Sequence, residues 1–171
     1  MRDAQPDDAG AVAGVHVRSW QVAYSGLLSD EYLDRLDADE RRVAYRFGDP
    51  RPGRPATIVA VDDGAIRGFA TMGPARDPEP AGRSTAGTGE LYAIYVDPPW
   101  WGTGVGRALI AEARARLSRY HFAQAVLWVL IGNDRAQRFY EADGWRPDGG
   151  RREETVWGVP VDEARHRRQL P

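Results

Sequence analysis

A strand, a glycine turn and a helix follow one another without interruption from Glu90 to Arg119, and no other stretch of the chain limits its fold as tightly. ELYAIYVDP is a continuous apolar and aromatic run that stops at Asp97-Pro98, the pattern of a buried strand. In RALIAEARARLSR and the residues just before it, Val105, Leu109, Ala113 and Leu117 recur every four positions. That spacing predicts a helix, with Glu112 placed to pair with Arg116 one turn on. Gly102, Gly104 and Gly106 lie between strand and helix, where backbone can approach a ligand closely. A helix that opens this way presents unpaired N–H groups at its positive end. Its natural guest is an anion such as a pyrophosphate.

Spacing separates the known loops that use this arrangement. A Walker loop requires GxxxxGK, and the chain has no Lys. The dinucleotide fingerprint GxGxxG would require Gly at position 107, which is Arg107. Trp101-Gly102-Thr103-Gly104-Val105-Gly106 instead resembles the acyl-CoA loop [Q/R]xxGx[G/A] of the GNAT superfamily of N-acetyltransferases, departing from it at Trp101. A second segment strengthens the resemblance. The apolar run Ala125–Ile131 is followed by NDRAQRFYEADGW, which is similar to the GNAT segment where Asn closes a strand, Tyr follows seven positions later and Gly-aromatic ends the unit. Here these are Asn133, Tyr140, Gly144 and Trp145.

The resemblance implies one GNAT domain over residues 1–171, an α/β fold whose mixed central sheet has splayed parallel strands and flanking helices. The strands Glu90–Pro98 and Ala125–Ile131 become parallel neighbours joined by a right-handed crossover. The implied activity is acetyl transfer from acetyl-CoA, as cosubstrate and without a metal, to a primary amine of a small molecule or peptide. Backbone groups of Ile94, Tyr95 and Val96 would face the pantetheine arm and stabilise the thioester oxygen. Amides from Trp101 and Gly102 through Thr103, Gly104, Val105 and Gly106 to Arg107 would cradle the pyrophosphate, and Asn133 would bond the arm. At Trp101, either the usual polar contact is lost or the backbone alone suffices.

The chemistry also needs an acid for the departing thiolate and an acceptor for the amine proton. A phenol of pKa ~10 is still protonated at neutral pH and so has a proton to give the departing thiolate, which makes Tyr140 the acid; the alternative role for Tyr140 is core packing. Glu90 occupies a position where several family members carry a catalytic Glu, so it is the base, unless a water chain serves or Glu90 is only a solvated strand end. The stretch WQVAYSGLLSDEYLDRL is similar to the segment that walls the acceptor pocket in many bacterial relatives, naming Trp20, Tyr24, Leu27 and Leu28, or else plain helix packing. A non-catalytic acyl-CoA sensor and a nucleotide-binding module are the competing functions.

The rest of the chain reads as follows. A short strand falls within Met1–Gln5, a helix over Ala9–Tyr24, a Ser29-capped helix near Asp30–Leu36, and a helix over Ala38–Phe47 with Asp37 and Glu40 as its capping box. Asp62-Asp63-Gly64 joins two strands as a hairpin. Pro74–Gly89 is a long loop, a lid or disordered. Arg146–Arg152 is a turn, followed by strands Thr155–Val159 and Val161–Arg168 around Gly158-Val159-Pro160. His16, His121 and His166 have no metal-ligand spacing and are expected at the surface.

Net charge of −2 argues against a nucleic-acid surface, and the absence of Cys rules out both a disulfide framework and an acyl-cysteine intermediate. No apolar run reaches membrane-spanning length and no signal-peptide core opens the chain, so a cytoplasmic protein without membrane partners is expected. Exposed edge strands and six Trp residues leave room for a homodimer.

Overall fold

The computed structural model describes residues 1–48, 54–76, 87–156 and 158–171. In chain order the elements are β1 (Arg2–Asp3), α1 (Ala9–Ala23), α2 (Asp30–Asp34), α3 (Ala38–Arg42), β2 (Ala56–Asp62), β3 (Ala65–Pro74) and β4 (Thr88–Val96). Then come α4 (Val105–Arg119), β5 (Gln124–Leu130), α5 (Asp134–Ala142), β6 (Arg146–Val156) and β7 (Val159–Gln169). One sheet runs β1-β2-β3-β4-β5-β7-β6, and β4–β5 is its parallel pair.

Strand alternation gives the sheet two apolar faces. On one, Met72, Leu91, Leu127 and Trp145 pack against Leu109, Ile110, Ala113 and Leu117 of α4, the four-residue stripe and its neighbours. On the other, Val12 and Val15 of α1 pack against Val59 and Phe69, with Tyr45, Ala93 and Tyr95 at the margin. A bulge lets β4 serve both layers. Met72 pairs with Leu91 and Thr71 with Ala93, so Tyr92 is an extra residue that shifts the phase of everything after it.

Most of the expected elements form, and the differences have local causes. Ser29 caps α2 by accepting from the Tyr32 N–H, and Asp37 caps α3 by accepting from the Asp39 and Glu40 N–H groups. However, α3 stops at Arg42, short of the expected Phe47, because Tyr45 and Phe47 run in alternating, extended fashion and both turn into the α1-side core. Arg146–Arg152 is strand rather than turn: the residues between Pro147 and Arg151 form a bulge inside β6, with Gly149 at φ 86° and Asp148 accepting from the Gly150 N–H. The β6–β7 turn falls before Val159, and Pro160 is a strand residue paired with Thr155. The expected loop Pro74–Gly89 is shorter at both ends, since Pro74 pairs with Gly89; residues 77–86 of that stretch lie outside the described residues, as do 49–53. Two histidines expected at the surface are buried, His16 at 4% and His166 at 1% exposure, because each sits on the core face of its helix or strand; His121 is exposed.

Leu109 is fully buried where α4 meets β3 and β4. Leu109→Ala is expected to lower the unfolding free energy by roughly 3 kcal/mol in urea titration, the usual cost of a core cavity. A loss below about 1 kcal/mol would show that the α4 face does not bear on the sheet as described.

Candidate functional site

The site begins where two strands part. β4 and β5 pair only from Thr88 with Gln124 to Leu91 with Leu127. Beyond that, β4 stays bonded to β3 through Val96, while β5 stays bonded to β7 through Leu130. The edges of β4 after Leu91 and of β5 after Leu127 therefore face a gap rather than each other. Ile94, Tyr95 and Val96 line it from one side, Trp128, Val129 and Leu130 from the other.

The glycine turn closes the end of that gap. Gly102 has φ 80° and Gly104 φ 98°, left-handed values that a side chain would strain. Gly104 is the N-cap of α4 and has no side chain to cap it, so the first-turn N–H groups are left for water or a ligand. A Cβ at Gly106 would meet the Phe139 ring of α5 at 3.4 Å, an ordinary contact. Trp101, at the position where the resemblance calls for Gln or Arg, donates from its indole N–H to the Val96 carbonyl at 2.7 Å. The Arg135 guanidinium lies 4.0 Å over the Trp101 ring. Three further bonds fix the end of β4 from the other layer: Ser19 Oγ donates to the same Val96 carbonyl at 2.9 Å, and Arg18 holds Asp97 through two bonds of 2.8 and 2.9 Å.

A continuous cavity of about 2030 Å³ runs from this turn through the gap to the mouths of α1 and α3. Arg107, Arg135 and Arg138 stand at its turn end, so a polyanion entering there meets both free amides and positive charge. At its centre His16 stacks on Tyr95 at 4.3 Å, and Trp20 meets Tyr24 edge-on at 4.6 Å. The Tyr95 phenol neighbours Tyr24 and Trp20. Burial first, then the neighbouring Tyr95 and Glu163, pushes the Tyr140 phenol well above its ordinary pKa; burial does the same for Tyr24 and Tyr95. Burial, with the Arg41 charge second, pushes His16 well below 6.5. The centre of the cavity is therefore uncharged at neutral pH and rich in phenol donors.

Most of the expected residues converge here. Trp20, Tyr24 and Leu28 line the cavity with Tyr140 and Asn133. Asn133 caps α5, its Oδ1 accepting from the Ala136 N–H at 3.1 Å. Leu27 does not line the cavity: it is 40% exposed and lies against Gly132. Glu90 is not among the lining residues either. It is 1% exposed on the paired part of β4, where it accepts from the Arg76 N–H at 2.9 Å and from the Arg76 guanidinium at 2.8 Å. Sequence reasoning missed His16, Arg41, Tyr45 and Glu163. The first had a legible signal, since His16, Trp20 and Tyr24 lie at i, i+4 and i+8 on one face of α1.

The pattern described as the acetyltransferase (GNAT) family matches residues 17–145. An uncharacterized N-acetyltransferase of Bacillus subtilis, YuaI, is 34% identical over 142 residues, 83% of this chain and 77% of the relative. Among solved structures, the PaiA N-acetyltransferase of Thermoplasma acidophilum in complex with coenzyme A superposes with a TM-score of 0.68 at 18% identity, covering 99% of this chain and 97% of that one. YncA, an acetyltransferase of Salmonella typhimurium with its cofactor acetyl-CoA, superposes at 0.66 and 20% identity, covering 99% and 92%. At such identities the likeness is one of fold.

His16 and His166, both pushed below 6.5 chiefly by burial, gain protons more readily in the unfolded chain than in the folded one. Their contribution to stability is thus complete above pH ~6.5 and is lost as pH falls through that value toward the folded pKa values. Urea titrations at about pH 7.5 and 5 should show lower stability at the acid end, and His16→Phe should lessen the drop. An unchanged drop would place the imidazole in water.

Proposed function

Because the chain belongs to the GNAT acetyltransferase family, we propose that it transfers an acetyl group from acetyl-CoA to a primary amine by direct attack within a ternary complex. One observation carries this reading: the Tyr140 phenol, the open edge of β4 and the uncapped start of α4 all face the same gap. Bound acetyl-CoA supplies the acetyl thioester. The amides from Gly102 to Arg107, with Arg107, Arg135 and Arg138, would hold its phosphates, and the edge of β4 from Ile94 to Val96, with Asn133, its pantetheine arm. These residues suit such a group, since an anion would satisfy N–H groups that no side chain caps.

In the transfer, the amine nitrogen forms a bond to the acetyl carbon while the carbon–sulfur bond breaks, the thiolate takes a proton and the amine loses one. Backbone N–H groups of the unpaired β4 edge stabilise charge on the thioester oxygen. Tyr140 delivers the proton to sulfur: burial keeps its phenol protonated at neutral pH, and solvent restores the proton after transfer. Glu90 does not fit the role of base in this arrangement: its carboxylate is committed to Arg76, and Glu90 itself is not among the lining residues. A water between the phenols of Tyr24 and Tyr95 would be better placed to take the amine proton. Trp20, Tyr24 and Leu28 wall the acceptor side.

Thiol release with acetyl-CoA and a chemically diverse amine library tests the activity. Coenzyme A binding with no turnover of any amine would support the non-catalytic sensor instead. With an amine that is acetylated, Tyr140→Phe is expected to lower kcat by about a hundredfold or more while the KM for acetyl-CoA stays within a few-fold. Full turnover by Tyr140→Phe would remove Tyr140 from the role of acid.

A further inference from the structure

β7 brings a carboxylate to the gap that the mechanism above does not use. Glu163 pairs with Leu130, the last residue of β5, and both line the cavity. Two places earlier on β5, Trp128 pairs with Arg165, whose guanidinium lies 5.6 Å from the centre of the Trp128 ring. Residues two apart on a strand share a face, and so do residues directly opposite across a ladder. Glu163 therefore stands on the face of Trp128 and Leu130, the reverse of the one where Leu127 and Val129 pack with α4. That is the side of α1, which supplies Trp20 and Tyr24 to the same cavity.

The carboxylate is held by one of its two oxygens. Arg152 Nε donates to Oε2 at 2.8 Å, and Arg152 Nη2 lies 2.8 Å from the same oxygen. Among the described residues, no donor is bonded to Oε1. Arg152 is itself fixed, its guanidinium lying 4.3 Å from the centre of the Trp128 ring. Glu163 is thus anchored from the β6 side and keeps its second oxygen for the cavity. Its charge reaches the phenols of Tyr24 on α1, Tyr95 on β4 and Tyr140 on α5.

We propose that Glu163 is where the amine proton comes to rest, its Oε1 receiving that proton through a water between Tyr24 and Tyr95. The proposal rests on the acetyltransferase reading and adds the proton acceptor that Glu90 does not supply. As the amine nitrogen bonds to the acetyl carbon it takes on positive charge, and its N–H becomes strongly acidic. Water can relay that proton but not keep it, because a hydronium ion is a far stronger acid than a carboxylic acid. A carboxylate beside the water completes the transfer. One proton thus leaves nitrogen for Glu163 while another passes from Tyr140 to sulfur. Solvent then removes the first and restores the second.

The test uses any amine that the library shows to be acetylated. Glu163→Gln, which keeps an oxygen for Arg152, should lower kcat by about a hundredfold or more, the lower range of general-base assistance. Its affinity for acetyl-CoA should stay within a few-fold of the unaltered protein. Glu163→Ala should be as slow and should regain about tenfold or more in kcat with sodium formate, which replaces the missing carboxylate, but nothing with sodium chloride. The formate comparison separates proton transfer from support of the fold, and it decides alone if the Gln variant does not bind coenzyme A. Near-full kcat in Glu163→Gln overturns the proposal, as does a loss confined to the KM of the amine. So does an Ala variant that formate leaves unchanged. Turnover that survives Glu163→Gln defeats the role of Glu163 alone; coenzyme A binding without turnover of any amine defeats the acetyltransferase reading and this role with it.

Discussion

The whole site follows from one unfinished ladder. β4 and β5 are the parallel pair of the sheet, and their bonding stops after Leu91 and Leu127. Backbone N–H and C=O groups left facing a gap are costly unless water or a ligand reaches them, so a chain that leaves them open gains only if something binds there. The neighbours make the gap permanent. β3 holds β4 to its end, β7 holds β5 to its end, and α1 fastens the tip of β4 through Arg18, Ser19 and their partners. The Arg18–Asp97 pair is half exposed on its arginine side and adds little to stability, about 0–1 kcal/mol for pairs of this kind. Its bidentate geometry matters more, because it fixes the direction in which β4 leaves the sheet.

The bulge at Tyr92 explains how one strand can serve two layers and a cavity at once. Before it, Leu91 faces the α4 core; after it, Tyr95 faces α1, while Val96 returns to the α4 side. Tyr95 therefore lies where His16 can stack on it and Tyr24 can reach its phenol. Arg76 closes over the bulge, its guanidinium 4.3 Å from the centre of the Tyr92 ring and bonded to Glu90. Glu90 thus lies at the base of the strand, bonded to Arg76 of the segment that leads away from β3.

How far the sequence alone could lead depends on whether a feature is local. Strand, turn and helix from Glu90 to Arg119 were legible because a four-residue stripe and three closely spaced glycines are local patterns. Asn133 and Tyr140 were legible because their spacing is set by one turn and one helix. Glu163 had no such signal: it reaches the cavity because β7 pairs it with Leu130, thirty-three positions away, and because β5 has parted from β4. Arg41 was hidden for a similar reason, since its helix ends early only through the pull of Tyr45 and Phe47 on the core. The burial of His166 likewise follows from its pairing with Leu127 and Pro147, which no local pattern in RHRR discloses.

Trp101 shows how a departure from a familiar loop can be absorbed. Gln or Arg at that place offers a polar side chain, whereas an indole offers one N–H and a broad ring. Here the N–H is used inward, on the Val96 carbonyl, and the ring is used outward, beneath Arg135. The first contact ties the glycine turn to the tip of β4, so the free amides of α4 and the open edge of the strand keep a fixed relation. The second keeps a guanidinium, supplied by α5, beside the turn; cation–π stacking of this kind contributes about 0.5–2 kcal/mol. Positive charge that a single loop side chain would have carried comes instead from a neighbouring helix and is held in place by tryptophan. The uncapped amides of the turn and the guanidinium beside it belong to the backbone and to a neighbouring helix, so an atypical residue at Trp101 leaves both in place.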